Sequence, residues 1–411
     1  MIDQISVENF KSLHSTSVSL KPLTVIIGPN ASGKSNLLDA LESLQRLVRH
    51  RGIMMIRRED EMPIFSFDDV LWRKAEPTDE ISWKITSSLG IRGIVPQQSN
   101  VEYSVAVCDD RDYYIKPAIA KETLEAIWPW PPYDDTETHL SRQKTDVKIL
   151  LPHQKPENEP ITIGISPIDL ALHAYMLHET SPWVKVLVDY VKDWRFFKII
   201  PDEARLTEPD VNQRGRLEKE GCNLSNILYY LSKENPTDFE YIRDEMREIL
   251  GISSLDIRRE ELGKSVYRTH VEAIESPFDG QRPFNLDNLS DGTVGMLALL
   301  TILSVTDPPP LVCIEEPERS IHPKMLRRLA HYLQQAAQRT QLIITTHNAE
   351  LLDHFDPYQE NVQVLVAHRD KEHATQFTAV QNIQNVQAWL DDYMLGQIWT
   401  MGQIEEMLEV E

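Results

Sequence analysis

The stretch Thr24-Val25-Ile26-Ile27-Gly28-Pro29-Asn30-Ala31-Ser32-Gly33-Lys34-Ser35-Asn36 constrains this chain more than any other. Four residues rich in β-branched side chains predict a buried strand. Leu37, Leu38, Leu41 and Leu44 follow at helical spacing. Between strand and helix lies G-x-x-x-x-G-K-S, and that order of elements is what gives the pattern meaning. The glycines let backbone N–H groups turn inward around a phosphate, and the helix N-terminus adds partial positive charge. Gly28, Pro29, Asn30, Ala31, Ser32, Gly33, Lys34, Ser35 and Asn36 are therefore the candidate cradle for ATP. Lys34 is set to reach the β- and γ-phosphates, and the Ser35 hydroxyl to ligate Mg²⁺.

At 411 residues the chain has room for two or three domains. A formal charge of −22 argues against a surface broadly adapted to nucleic acid, so any such contact must be local. Arg46, Arg49, His50, Arg51, Arg57 and Arg58 form the one local candidate; a helix end whose cations offset its own dipole reads equally well. Cys108, Cys222 and Cys313 are scattered and odd in number, which indicates neither a disulfide framework nor a zinc site. No apolar run has membrane-spanning length and the N-terminus lacks signal-peptide character, so the expectation is a cytoplasmic protein without membrane contact.

Along the chain, strands are expected at 5–10, 17–20, 24–27, 81–86, 101–107, 113–115 and 147–150. The proline-stiffened run Trp128-Pro129-Trp130-Pro131-Pro132-Tyr133 reads as a surface loop. From about Pro167 to Gly251 the apolar spacing becomes helical without heptads, which predicts a compact inserted arm. Strands return at 252–259 and 265–274. Asn288-Leu289-Ser290-Asp291-Gly292-Thr293 then opens a helix, a second place where a helix N-terminus offers a serine to an anion. Leu311 to Ile314 is a short apolar strand that delivers Glu315 and Glu316 at its end, and adjacent carboxylates there call for a cation or a reacting water. Glu315 is the candidate Mg²⁺ ligand and Glu316 the candidate general base. After a helix from about His322 to Gln338, the apolar strand 341–345 ends in Thr346-His347, whose imidazole is a candidate γ-phosphate partner.

These four motifs, in this order, resemble the ABC-type ATPase core. Ile5-Ser6-Val7-Glu8-Asn9-Phe10-Lys11-Ser12-Leu13 is similar to the opening strand of the RecF, structural-maintenance-of-chromosomes and OLD (overcoming lysogenisation defect) branch. So is Glu315-Glu316-Pro317-Glu318 running on to Ile321-His322-Pro323. Gly221-Cys222-Asn223-Leu224 and the closing Leu395-Gly396-Gln397-Ile398-Trp399 to Gly402 resemble its stand-alone members. The resemblance covers most of the chain outside about 90–165. It implies an α/β P-loop NTPase of ABC-ATPase type, with an N-terminal mixed β lobe (1–165), an inserted helical arm (166–251) and a C-terminal part of the head (252–411).

By that resemblance Ser290, Asp291 and Gly292 act in trans: two protomers form a head-to-tail pair, or a higher oligomer, each loop closing on the other's nucleotide. Asp291 stands where transporters commonly carry glycine. Gln97 and Gln98 are the candidates for the loop that links Mg²⁺ to the arm. Some sixty residues follow His347, too few for the nuclease domain that OLD proteins add. The expectation is an ATP-hydrolysing switch that controls a separate DNA-acting subunit, a nuclease above all, in antiphage defence. A RecF-type repair ATPase is the alternative, and a transporter subunit a more distant one.

Overall fold

The computed structural model describes residues 1–53, 67–76, 79–88, 100–109, 117–127, 136–149, 160–176, 182–206, 216–263, 266–275 and 282–409. The expected strand at 113–115, the aromatic run 128–133, Gln97 and Gln98, and Arg57 and Arg58 lie outside them. The chain opens with β1 (Ile2–Phe10), β2 (Leu13–Ser19) and β3 (Leu23–Ile27), followed by α1 (Lys34–Arg49) and α2 (Phe67–Val70). Next come β4 (Ile81–Ser88), β5 (Asn100–Cys108), β6 (Ala118–Ile127), β7 (Thr136–Gln143), β8 (Asp146–Ile149) and β9 (Ile161–Gly164). Helices α3 (Ala171–Met176) and α4 (Pro182–Lys192) complete this part. The chain divides into two compact units, the first comprising residues 1–21, 27–194 and 365–379.

In the first unit the described strands form an antiparallel sheet in the order β2-β1-β4-β5-β6-β7-β8-β9. Ile5 and Val7 alternate with exposed or half-exposed neighbours, as do Ile81, Trp83 and Ile85, so one face supplies the core. The sequence reading does not predict β6, β7 or β9. β6 runs Ala-Ile-Ala-Lys-Glu-Thr-Leu-Glu-Ala-Ile, mostly good helix formers, and it turns Glu122 inward where an apolar residue would have shown the alternation. Glu122 is fully buried opposite Arg142 of β7. It accepts from the Ala171 and Leu172 N–H groups at 2.6 and 2.9 Å and from the Tyr103 hydroxyl at 2.9 Å. Arg142 donates to the carbonyls of Lys144, Ser166 and Asp169. The pair thus caps α3 and pins the turn before it to the sheet, and burial raises the Glu122 pKa. On α1 the buried stripe Leu37, Leu38, Leu41, Leu44, Leu47 and Val48 packs inward, and Gln45 Nε2 donates to the carbonyls of Lys192, which ends α4, and of Trp194 just after it.

The second unit comprises residues 22–26, 195–364 and 380–411. Its elements continue with β10 (Arg195–Phe197), α5 (Pro201–Ala204), α6 (Leu224–Glu234), α7 (Pro236–Leu250), β11 (Ile252–Gly263), β12 (Val266–Glu275) and β13 (Phe284–Asn285). After them come α8 (Asp291–Leu303), β14 (Leu311–Glu315), α9 (Leu326–Ala336), β15 (Gln341–Thr345) and α10 (Ala349–Leu352). The chain closes with β16 (Val362–Arg369), β17 (Thr375–Ala379), α11 (Val386–Leu390), α12 (Leu395–Thr400) and α13 (Gln403–Glu409). Strands β10, β14, β15 and β3 pair in parallel in that order. β16 follows β3 in the sheet and runs on into the first unit, where it pairs antiparallel with β17. The continuous apolar runs of β3, β14 and β15 are what parallel strands covered on both faces need. α8 is buried nearly all round, and α5, α7 and α9 pack on it. Residues 166–251, expected as one arm, contribute α3 and α4 to the first unit and β10, α5, α6 and α7 to the second. Among the described residues no helix is long and apolar enough to cross a membrane.

Candidate nucleotide site

Within the first unit the loop 28–33 leaves no space at its glycines. A Cβ on Gly28, at φ +158°, would lie 2.5 Å from the Ala367 carbonyl; one on Gly33, at φ +101°, would lie 2.1 Å from Thr375 Oγ1. Ala31 is left-handed at φ +63°. The β16–β17 hairpin grips this loop from outside. Arg369 Nε and Nη2 donate to the Ala31 carbonyl at 3.1 and 2.7 Å, and Thr375 Oγ1 donates to the Ser32 carbonyl at 2.7 Å. A trans peptide sets its N–H opposite its carbonyl, so holding the Ser32 carbonyl on the hairpin side aims the Gly33 N–H the other way. Lys34 is buried, and its Nζ donates to the Gly28 and Pro29 carbonyls at 2.8 and 2.9 Å. Ser32 Oγ is buried with no partner among the described residues. Ser35 and Asn36 stand in the first turn of α1.

The opening motif Asn9-Phe10-Lys11-Ser12 acquires a physical role here. Asn9 and Lys11 take left-handed φ of 56° and 51° in the tight turn from β1 to β2. The turn sends Lys11 to Asp39 of α1 at 2.5 Å. Ser12 accepts from Asn36 Nδ2 at 2.6 Å and shares a hydrogen bond with Thr375 Oγ1 at 2.7 Å. Ser12, Arg369 and Thr375 are supports of the loop that sequence reasoning missed. Arg369 and Thr375 carry no local pattern, but Ser12 lies inside the motif that carries the family resemblance.

Within the second unit, β14 delivers Glu315 opposite Thr345 of β15. Lys198 Nζ donates to Glu315 Oε2 at 2.9 Å, and this bond raises the Lys198 pKa. Glu316 breaks from the strand at φ +46° while its N–H still bonds the Thr345 carbonyl at 2.9 Å. A non-glycine residue in that region is strained, and such strain gathers at functional sites. The twist sets Glu316 Oε1 3.4 Å from His347 Nε2. Glu318 ties the two strand ends together: its Oε1 accepts from Thr346 Oγ1 at 2.6 Å and from the His347 N–H at 3.3 Å. Burial raises the Glu318 pKa, and its Oε2 has no partner among the described residues. The Thr346 N–H bonds the Ile26 carbonyl of β3 at 2.9 Å.

Ser290 caps α8, its Oγ accepting from the Thr293 N–H at 3.2 Å, and its surface is exposed. A Cβ on Gly292 would meet the Ser320 carbonyl at 2.9 Å, which seats this loop on the turn that follows Glu316. Asp291 is held by Arg205, whose Nη2 also donates to the Leu289 carbonyl at 2.9 Å. The structure thus brings Ser290, Asp291, Gly292, Glu315, Glu316 and His347 into one unit and residues 28–36 into the other. Within the second unit β3, β14 and β15 are parallel neighbours, so Glu315 and Thr346 stand at the carboxyl ends of adjacent strands.

In the first unit the loop fits a phosphate chain: it admits no Cβ at Gly28 or Gly33, and its ammonium rests on carbonyls that phosphate oxygens can replace. In the second unit Glu315 already holds a cationic group. Arg46, Arg49 and Arg51 are exposed at the end of α1; Arg46 pairs with Glu42 at 2.8 Å.

Residues 23–353 match the family profile described as "AAA domain, putative AbiEii toxin, Type IV TA system". The Septu protein PtuA of Bacillus mycoides (strain KBAB4) is 26% identical over 195 residues, which are 45% of this chain and 26% of that protein. The match thus spans about a quarter of the length of that curated relative. The crystal structure of the SmcHead bound to the C-winged helix domain of ScpA superposes with a TM-score of 0.52 at 13% identity, covering 92% of this chain and 97% of that one. The fold is accordingly that of an ABC-type P-loop ATPase head.

Proposed function

The chain belongs to the family described as "AAA domain, putative AbiEii toxin, Type IV TA system", and from that premise we propose that it is a Mg²⁺-dependent ATPase acting as a dimeric switch. The observation that carries this reading is the pair of adjacent strand ends in the second unit, where Glu315 closes β14 and Glu316 lies 3.4 Å from His347 beyond β15. Lys34 exchanges its two loop carbonyls for β- and γ-phosphate oxygens, and backbone N–H groups of the loop take the rest. Ser35, and Glu315 through water, would hold Mg²⁺, which would supply charge neutralisation to the phosphates. Glu316 accepts the proton of the attacking water as its oxygen bonds to the γ-phosphorus and the bond to the ADP oxygen breaks. His347 orients Glu316 and donates to the γ-phosphoryl oxygen. Ser290, with Asp291 and Gly292, completes the site of a second protomer, a role that its exposed position at a helix N-terminus supports.

The partner is a separate DNA-acting subunit, a nuclease above all, in a cytoplasmic defence system. The family description and the resemblance to a Septu protein support that setting. Any DNA contact is local, through Arg46, Arg49 and Arg51, with Arg57 and Arg58 following in sequence. Glu316→Gln tests the switch, because it keeps the volume of the side chain and removes the base. The variant should bind ATP, hydrolyse it at least about a hundredfold more slowly, and shift toward dimer on size exclusion with ATP and Mg²⁺. Normal hydrolysis would place the base elsewhere; an inactive variant whose mass does not change with ATP would leave the hydrolysis and remove the switch.

A further inference from the structure

Residues 195–205 run, inside the second unit, between two parts of the site that the proposed chemistry treats separately. β10 pairs with β14 as Arg195↔Val312, Phe196↔Cys313 and Phe197↔Ile314. One residue further the same register sets Lys198 beside Glu315, where the ammonium bonds the carboxylate at 2.9 Å. Seven residues on, Arg205 ends α5 and donates to the Leu289 carbonyl and to Asp291. Its side chain is 15% exposed, against 60% for Asp291, so the guanidinium is built in and the carboxylate comes to it.

What lies between these ends is stiff. Ile199, Pro201 and Ala204 are buried, and α5 packs on α8. The Lys198 and Ile200 N–H groups bond the carbonyls of Lys219 and Glu220 at 2.9 and 3.1 Å. Gly221, at φ +89°, lies so close under α5 that its Cβ would approach that of Ala204 to 3.2 Å. The segment is therefore bound along its length to the turn 218–221. This arrangement gives a use to the carboxylate of Asp291, which stands where transporters commonly carry glycine, and to Gly221 of Gly221-Cys222-Asn223-Leu224.

We propose that residues 198–205 form a strap that couples Glu315 to the Leu289–Asp291 loop, with Lys198 and Arg205 as positioning residues at its two ends. It rests on the reading above in one respect: with Glu315 serving its own protomer's nucleotide and Ser290 the partner's, the strap connects the two sites of a dimer. A divalent cation and the Lys198 ammonium compete for one carboxylate. Whatever draws Lys198 from Glu315 biases the strap, and by reciprocity whatever fixes the loop alters cation binding at Glu315.

Hydrogen exchange on the full chain without nucleotide tests this directly. Lys198→Met should speed exchange of the amides at 289–296 by about threefold or more, while those of buried β15 stay as in the wild type. Lys198→Arg, which keeps a cation on Glu315, should restore the wild-type rate. In the other direction, Arg205→Met should change Mn²⁺ affinity, read by electron paramagnetic resonance with a non-hydrolysable ATP analogue, by at least about twofold. Wild-type exchange at 289–296 in Lys198→Met overturns the strap, and so does faster exchange spread equally over both units. Because the exchange experiment contains no nucleotide, loss of the ATP-site reading, tested separately by retained ATP binding in Lys34→Ala, leaves its outcome untouched.

Discussion

Thr375 shows how much of the proposed phosphate site depends on residues outside the loop itself. It is fully buried, and its hydroxyl holds both the Ser32 carbonyl and Ser12, which in turn holds Asn36. Removing it strands buried acceptors at a cost of about 1–3 kcal/mol. Thr375→Val should raise KM for ATP by about tenfold with kcat little changed, because the loop loses preorganisation and the water-activating groups stay in place. Equal falls in kcat and kcat/KM in steady-state assays would show that the hairpin serves the chemical step instead. Glu318 makes a different kind of prediction. Burial raises its folded pKa above the usual 4.5, so from that value up to its folded one the native state holds a proton that the unfolded chain has released. The sign follows: stability declines as pH rises through that window. Glu318→Gln keeps an oxygen for Thr346 and His347 and cannot ionise. In urea titrations its stability relative to wild type should be higher at pH 8 than at pH 5; a constant difference would mean that Glu318 ionises at its ordinary value in the folded chain.

At the scale of elements, what was legible followed the hydrophobic period. The phosphate loop, the acidic strand and the histidine strand each combine a short apolar run with polar residues at its end, and β3, β14 and β15 stand at 23–27, 311–315 and 341–345. β6 escaped because Glu122 faces inward and its composition favours helix. β10 escaped because three residues, Arg-Phe-Phe, are too short to show any period, yet its register is what presents Lys198 to Glu315. The supports of the site were hidden for a related reason: Arg369 and Thr375 act from a hairpin more than 330 residues from the loop they hold, and no local pattern encodes that distance. The same pairing bears on residues 167–250. Excising them would remove α4, whose Val184, Leu187, Val188 and Val191 are buried, together with β10 and both acceptors of Gln45. The expected product is insoluble, judged by the soluble fraction on expression. A soluble product that binds ATP with native affinity would show that these contacts are dispensable.

The molecule as a whole carries a net charge of −22, and that number separates the two kinds of association proposed for it. Two copies brought head to tail repel one another over distances that salt screens, since the Debye length falls from about 30 Å at 0.01 M to about 10 Å at 0.1 M. Nucleic-acid binding through a few arginines runs the opposite way, because each phosphate neutralised releases counterions and the affinity drops as salt is added. With three described arginines, Arg46, Arg49 and Arg51, and one of them paired to Glu42, the DNA slope should be shallow, corresponding to about two or three phosphates. The ATP-bound Glu316→Gln protein should therefore dimerise more completely at 150 mM than at 20 mM NaCl in sedimentation velocity, while retention of a DNA duplex by the same sample declines over that range. Dimerisation that weakens steadily with salt would mean that the contact is built on charge pairs, and a head-to-tail interface closed around nucleotide between two acidic chains would be the wrong description of it.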